Sequence, residues 1–288
     1  MVVVEINGGL GNQMFQYALY LKFKSLGKDV CIDDEILVDK LNDNRALKVF
    51  DVFNLKYDLC SKSVSHKMAD EDIRLLYRLR RKIFGRKSKD TFYAETDLEN
   101  NYYPQVLSMD NVYLAGVWQC ENYFSDIRDS IIKNYTFKYE DINRPSIKRI
   151  VARIADTNSV SIHLRKGDYV NNPGYDDICT LEYYEKAIAY IKECVDNPVF
   201  YVFSDDISFA RNVFDGNNYV FVDEHKGITA HCDMYLMTKC KHNIIVDSSF
   251  SWWGAWLNQN DEKIVICPPV WNSKYICKNT PCSNWVKI

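Results

Sequence analysis

Val2-Val3-Val4-Glu5-Ile6-Asn7-Gly8-Gly9-Leu10-Gly11-Asn12-Gln13 opens the chain with a β-branched run that ends abruptly in glycines. β-Branched side chains favour a pleated strand, and glycine lets the backbone turn tightly or approach a ligand closely. Beyond the turn, Met14, Phe15, Ala18, Leu19 and Leu21 recur at helical spacing, and Lys28-Asp29-Val30-Cys31-Ile32-Asp33 reads as a second short strand. A strand, a glycine turn, a helix and a strand in that order are the opening of a Rossmann-like α/β domain.

The same alternation returns further along. Val112 to Val117 is a strand candidate, and Val160 to Leu164, Val199 to Phe203, Tyr219 to Val222, Asn243 to Val246 and Ile264 to Cys267 read as strands. Helical segments fall between them at roughly 181–195, 206–214, 232–241 and 250–258, which predicts a second parallel sheet with crossover helices. Residues 35–110 show the least pattern. The polar, proline-containing run Glu140-Asp141-Ile142-Asn143-Arg144-Pro145-Ser146 places the boundary between the halves near 140–158, with one unit over 1–150 and the other over 151–288. No solenoid period is present.

Composition narrows the class. The 288 residues are 47% hydrophobic and 26% charged, with 36 basic against 39 acidic side chains and a net charge of −3. That is a globular chain, not a disordered one, and it argues against a protein that coats nucleic acid. Ten cysteines are scattered from Cys31 to Cys282 without a C-x-x-C, far from the density of a disulfide scaffold. The apolar start is short and lacks a basic leader, and no apolar run approaches the ~18 residues that span a bilayer. The expectation is a cytoplasmic protein with reduced thiols. The 20 tyrosines fit a polar ligand such as a sugar.

In open α/β sheets, ligands bind beyond the carboxyl ends of the strands, and polar clusters sit at those ends here. The first is Gly8 to Gln13. A dinucleotide fingerprint would need its third glycine at Met14, so a nicotinamide-dependent dehydrogenase is disfavoured. What remains is a tight turn carrying the amides of Asn12 and Gln13, or, more plainly, a turn in which Asn12 caps the helix. The second is Ser161-Ile162-His163-Leu164-Arg165-Lys166-Gly167-Asp168-Tyr169. His163 and Arg165 share a face of the strand, and a guanidinium at a strand end suits a phosphate. Asp168 can orient Arg165, or pair with it as a surface ion pair of little consequence. In the third, Asp247-Ser248-Ser249-Phe250-Ser251-Trp252-Trp253-Gly254-Ala255-Trp256, a buried strand runs into a helix start. Helix N-termini attract anions; Trp253 and Trp256 read as core. The fourth, Phe203-Ser204-Asp205-Asp206, offers carboxylates to a guanine or ribose, or simply Ser204 or Asp205 as a helix cap.

Taken together, Gly8 to Ala18, the His163-x-Arg165-Lys166-Gly167-Asp168-Tyr169 motif and Ser248-Ser249-Phe250-Ser251-Trp252-Trp253 resemble the α-1,2-fucosyltransferases of glycosyltransferase family 11. The resemblance implies a GT-B-like fold in which two Rossmann-like domains face a cleft. Residues 1–150 would be the acceptor side and 151–288 the GDP-fucose side. It implies an inverting transfer of L-fucose from GDP-fucose to the 2-hydroxyl of a terminal β-galactoside, with no metal and no cofactor. Arg165 resembles the arginine that contacts the donor diphosphate, and His163 the residue beside the guanine. Ser248, Ser249 and Phe250 resemble the phosphate-binding turn. Asn12, after Gly11, resembles the asparagine facing the reaction centre, and Asp168, Asp205 and Asp206 fall on the donor side. Two positions depart from the family: Lys166 stands where arginine is usual, and Asp247 where asparagine is usual. A negative charge at Asp247 implies that its carboxylate points away from the phosphates, or that the phosphate turn is shifted. Neither His163 nor Asp168 stands out as a general base.

Other readings compete. A non-catalytic sugar-nucleotide or glycan-binding protein of the same fold would carry the same motifs. Arg74 to Lys89 holds eight Lys/Arg in 16 residues, with Leu75, Leu79 and Ile83 about one helical turn apart. That segment suits peripheral contact with the inner face of an anionic membrane, although a helix packed on its own domain with a solvated basic face is the favoured expectation. His231-Cys232 and Cys240-Lys241-His242 match no common zinc spacing. Asp70-Glu71-Asp72 spells the D-x-D of metal-dependent glycosyltransferases, but reads as the acidic start of the following helix.

Overall fold

The computed structural model describes residues 1–35, 48–70, 75–85, 90–95, 102–165, 178–223, 229–271 and 279–288. Its strands are β1 (Val2–Glu5), β2 (Val30–Asp33), β3 (Phe92–Ala94), β4 (Val112–Ala115), β5 (Asn158–Leu164), β6 (Pro198–Ser204), β7 (Tyr219–Val222), β8 (His242–Ile244), β9 (Val265–Cys267) and β10 (Val286–Lys287). They form two sheets, ordered β2-β1-β4-β3 and β10-β9-β8-β5-β6-β7, and every pairing is parallel. This is the expected α/β architecture, GT-B-like, with two Rossmann-like sheets. β3 and β10 are new, and Phe92, Tyr93 and Ala94 pair with Tyr113, Leu114 and Ala115.

Strand order locates the places where ligands bind. In the first sheet the chain goes from β1 outward to β2, then crosses to β3 at the opposite edge and comes back to β4, beside β1. In the second it goes from β5 to β6 and β7, then returns to β8 on the other side of β5. The crevice at such a reversal is where open α/β sheets take ligands. The reversals lie between β1 and β4, and between β5 and β8.

The helix Ser249–Trp256 joins the two halves. Trp252 and Trp253 are fully buried and Trp256 nearly so, in a core shared with β1, β4 and the helix Leu10–Ser25. Phe15 lies 4.5 Å from the Trp252 ring and 4.8 Å from Trp253, and Phe124 stacks on Trp253 at 5.7 Å. Each indole is also fixed by its N–H: Trp252 donates to Thr280 O at 2.7 Å, Trp253 to Gly11 O at 3.0 Å and Trp256 to the Glu121 carboxylate at 3.2 Å. Buried indoles hold their position best when that polar edge is satisfied. At the other end of this helix, Arg128 donates to Trp256 O at 2.7 Å and Lys263 to Ala255 O at 2.9 Å. Cations there complement the dipole.

Two sequence expectations change. The helix Leu75–Phe84 forms, but its apolar side chains do not pack on the domain: Leu75, Leu76 and Ile83 are 70–78% exposed. Asp70 ends the preceding helix, Lys62–Ala69, in a left-handed conformation (φ 53°) and pairs with Arg80. It is a helix stop held by an ion pair rather than an acidic helix start; Glu71 and Asp72 lie outside the described residues. No helix among the described residues is long and apolar enough to cross a membrane.

Candidate active site

The glycine turn after β1 is tighter than a capped turn requires. Gly8 takes φ 76°, Gly9 is the N-cap of the helix Leu10–Ser25, and Asn12 therefore sits inside its first turn instead of capping it. The Asn12 side chain is free of the capping task and accepts a hydrogen bond from Gln119 Nε2 at 2.7 Å. Gln13 braces the turn: its amide donates to Gly8 O at 2.8 Å and accepts from Val49 N at 2.8 Å.

Gln119 comes from the loop after β4, on the far side of the first reversal. That loop is held by Gln16, which donates to Gly116 O at 2.8 Å, and by Glu95, which accepts from the backbone N–H groups of Val117 (2.7 Å) and Trp118 (3.0 Å). Trp118 is fully buried with φ 56°. A bulky residue in the left-handed region is strained, and it persists only where its surroundings fix it. Gln119 and Glu95 were missed by sequence reasoning. The available signal was Gly116 immediately after a strand, the same punctuation as Gly8 after β1.

At the second reversal, His163 is the last residue but one of β5 and Arg165 follows the strand. His163 is buried, its ring centroid lies 5.9 Å from that of Phe250, and its Nδ1 has no hydrogen-bond partner among the described residues. Burial, reinforced by the Arg165 charge and opposed by Asp205, holds its pKa down to about 3. It is neutral at any working pH, which removes it as a proton-carrying cation. Lys166, Gly167, Asp168 and Tyr169 lie outside the described residues.

Across from β5, Asp247 and Ser248 follow β8. Ser248 is buried at the N-cap of the helix Ser249–Trp256, yet its side chain makes no capping bond. The helix start faces the glycine turn directly. A Cβ built on Gly11 would stand 2.6 Å from Ser249 C and Oγ and 2.7 Å from Phe250 N. Gly11, Ser249 and Phe250 therefore meet, and through Phe250 so does His163. Asp206 is used differently: its carboxylate caps the helix Ile207–Val213 by accepting from Phe209 N at 2.9 Å, while Ser204 Oγ accepts from Asp206 N at 3.0 Å. Asp205, expected on the donor side with a helix cap as the alternative, does not cap this helix; it is exposed and acts on His163 through its charge.

Asp247 is the unexpected group. It is 3% exposed, takes a thiol contact from Cys179 at 3.6 Å, and burial raises its pKa to about 7, with Cys179 and Arg165 opposing that rise. In the folded protein the acid stays protonated over a range where the unfolded chain, with a carboxyl near pH 4, has lost its proton. Folding is therefore unpenalised below about pH 4. Stability falls as the pH rises toward 7 and has lost on the order of a few kcal/mol above it. Asp247→Asn is expected to abolish that slope. Thermal melts of both proteins from pH 4 to pH 8 should diverge as the pH rises; parallel curves would show that Asp247 ionises normally in the fold.

Among the described residues, one group has metal-ligand chemistry: Asp141, His231 and Cys232. Asp141 already carries Arg144 at 2.6 Å and His231 at 2.9 Å. A guanidinium on the same carboxylate opposes a cation there.

The chain has relatives among known proteins. The family description "Glycosyl transferase family 11" matches residues 1–288. The chain is 33% identical to the O-antigen biosynthesis glycosyltransferase WbnK of Escherichia coli, covering 98% of this chain and 99% of that one. It is 31% identical to an alpha-1,2-colitosyltransferase of Escherichia coli over 100% and 99% of the two chains. A galactoside alpha-(1,2)-fucosyltransferase 2 of Rattus norvegicus is 26% identical over 48% of this chain and 42% of its own length.

Proposed function

The chain belongs to glycosyltransferase family 11, and from that premise we propose that it transfers L-fucose from GDP-fucose to the 2-hydroxyl of a terminal β-galactoside in a surface glycan, with inversion and without a metal. The observation that carries this reading is the contact of Gly11 with Ser249 and Phe250, which joins the turn after β1 to the helix start after β8. The bound donor would lie with its diphosphate between Arg165 and the N-terminus of the helix Ser249–Trp256. Both meet the charge that develops on the departing GDP, as preorganised electrostatic stabilisation. His163 and Asp205 would flank the guanine. Asn12, oriented by Gln119, would hold the acceptor hydroxyl or the leaving oxygen at the reacting carbon. The name of the rat relative supports the galactoside and the linkage; the two bacterial relatives, alike over their whole length, support a glycan of the O-antigen kind.

The colitosyltransferase relative favours one second reading, a colitosyl donor at the same site. Colitose lacks the 3-hydroxyl of fucose, so a pocket built to bond that hydroxyl rejects it strongly. The test is transfer to lactose in EDTA from GDP-fucose and from GDP-colitose, with the product linkage determined. Fucose on the galactose 2-hydroxyl is the expected product. Transfer of colitose alone would replace the donor assignment, and transfer only when a divalent metal is restored would overturn the metal-free mechanism.

A further inference from the structure

We propose that the helix Leu75–Phe84 is a peripheral membrane anchor that lies on an anionic lipid surface. The sequence of this helix, Leu75-Leu76-Tyr77-Arg78-Leu79-Arg80-Arg81-Lys82-Ile83-Phe84, contains four cations and no carboxylate. At helical spacing, Leu75, Leu76, Leu79 and Ile83 fall within one arc; the exposed Lys82 and Arg78 flank it on one side, and Arg80, paired with Asp70, borders the other. In a helix packed on its domain that arc would be buried. Instead Leu75 is 70%, Leu76 78%, Leu79 47%, Ile83 70% and Phe84 78% exposed.

Charge selects the occupant. The chain as a whole is net −3, yet residues 74–89 carry eight basic residues and no acidic one. The helix itself, with four of these cations and no carboxylate, is a concentrated positive site on a slightly negative protein. An apolar arc with basic borders matches the acyl boundary and the phosphates of an anionic bilayer at once. At ten residues the helix is about 15 Å long, too short to span and long enough to lie in the interface. Arg80 also pairs with Asp70 at the end of the preceding helix, which ties the segment to the body of the protein.

The experiment is co-sedimentation of the full chain with vesicles of phosphatidylcholine alone and of phosphatidylcholine with 30% phosphatidylglycerol, at low salt and in 0.5 M NaCl. Two variants are compared: Leu76→Asp with Ile83→Asp, and Arg78→Glu with Lys82→Glu. All four positions are exposed, so thermal melts should match the parent protein. Binding to the anionic vesicles, weakened by salt and reduced on the order of tenfold or more in each variant, is the expected result. No binding to anionic vesicles overturns the proposal, as does binding that both variants retain. A parent dimer on gel filtration that Leu76→Asp with Ile83→Asp dissociates would also overturn it, because a second copy would then be the occupant.

Discussion

Arg165→Ala is expected to lower transfer on the order of 10²–10³-fold while the protein still folds. Arg165 follows β5 at the second reversal and is half-buried, outside the apolar core that holds the sheets together. It does remove the charge that lowers the pKa values of both His163 and Asp247. The protection that GDP gives against thermal unfolding should shrink in parallel. Arg165→Lys should recover only part of the activity, because an ammonium is a point charge without the guanidinium fork. Turnover and melting temperature, with and without GDP, measure all of this. An Arg165→Ala protein that folds and keeps near-normal turnover would remove the diphosphate from this position.

Gly11→Ala tests the contact between the halves. Helix propensity alone predicts a gain, since Gly11 lies in the first turn of the helix Leu10–Ser25 and alanine is the better helix former by about 1 kcal/mol. Packing predicts the opposite. Two of the three atoms that the new methyl would strike, Ser249 C and Phe250 N, are backbone and cannot swing aside. Packing should win: a net loss of roughly 1–3 kcal/mol, with transfer reduced on the order of 100-fold because the helix start moves away from the glycine turn. Gly9→Ala is the matched control, with no atom within 4 Å of its added Cβ and an ordinary φ of −72°. Similar melting temperatures for the two variants would show that the halves are not in contact at this point.

The fold was largely legible because its strands are short apolar runs bounded by turn residues. Val160–Leu164, Val199–Phe203 and Tyr219–Val222 appear within two residues of the expected ends. β3 and β10 escaped because three and two residues are too few to show a period of two. The polar ends of β1, β5 and β8 were legible because glycines, an arginine and paired serines interrupt apolar runs there. Their meeting was not, since nothing along the chain says that Gly11 touches Ser249. The partners of those residues were hidden for the same reason: Gln119 and Glu95 lie in stretches without a pattern of their own, and Asp247 becomes a weak acid only through burial. The amphipathic period of residues 74–89 was plain, but periodicity does not tell which surface an apolar face meets.

The helix Ser249–Trp256 has a consequence for how the protein is made. Phe15 and Phe124 are covered by tryptophans that the ribosome adds more than a hundred residues after Phe124, and the bond from Trp253 to Gly11 O closes a loop of 242 residues. While residues 1–150 are outside the ribosome alone, their sheet lacks one wall of its core. Long-range closure of this kind slows folding and leaves apolar surface exposed in the meantime. The first half is therefore a poor candidate for expression by itself. Folding of the whole chain should pass through a chaperone-dependent interval that ends only when the aromatic helix has been synthesised.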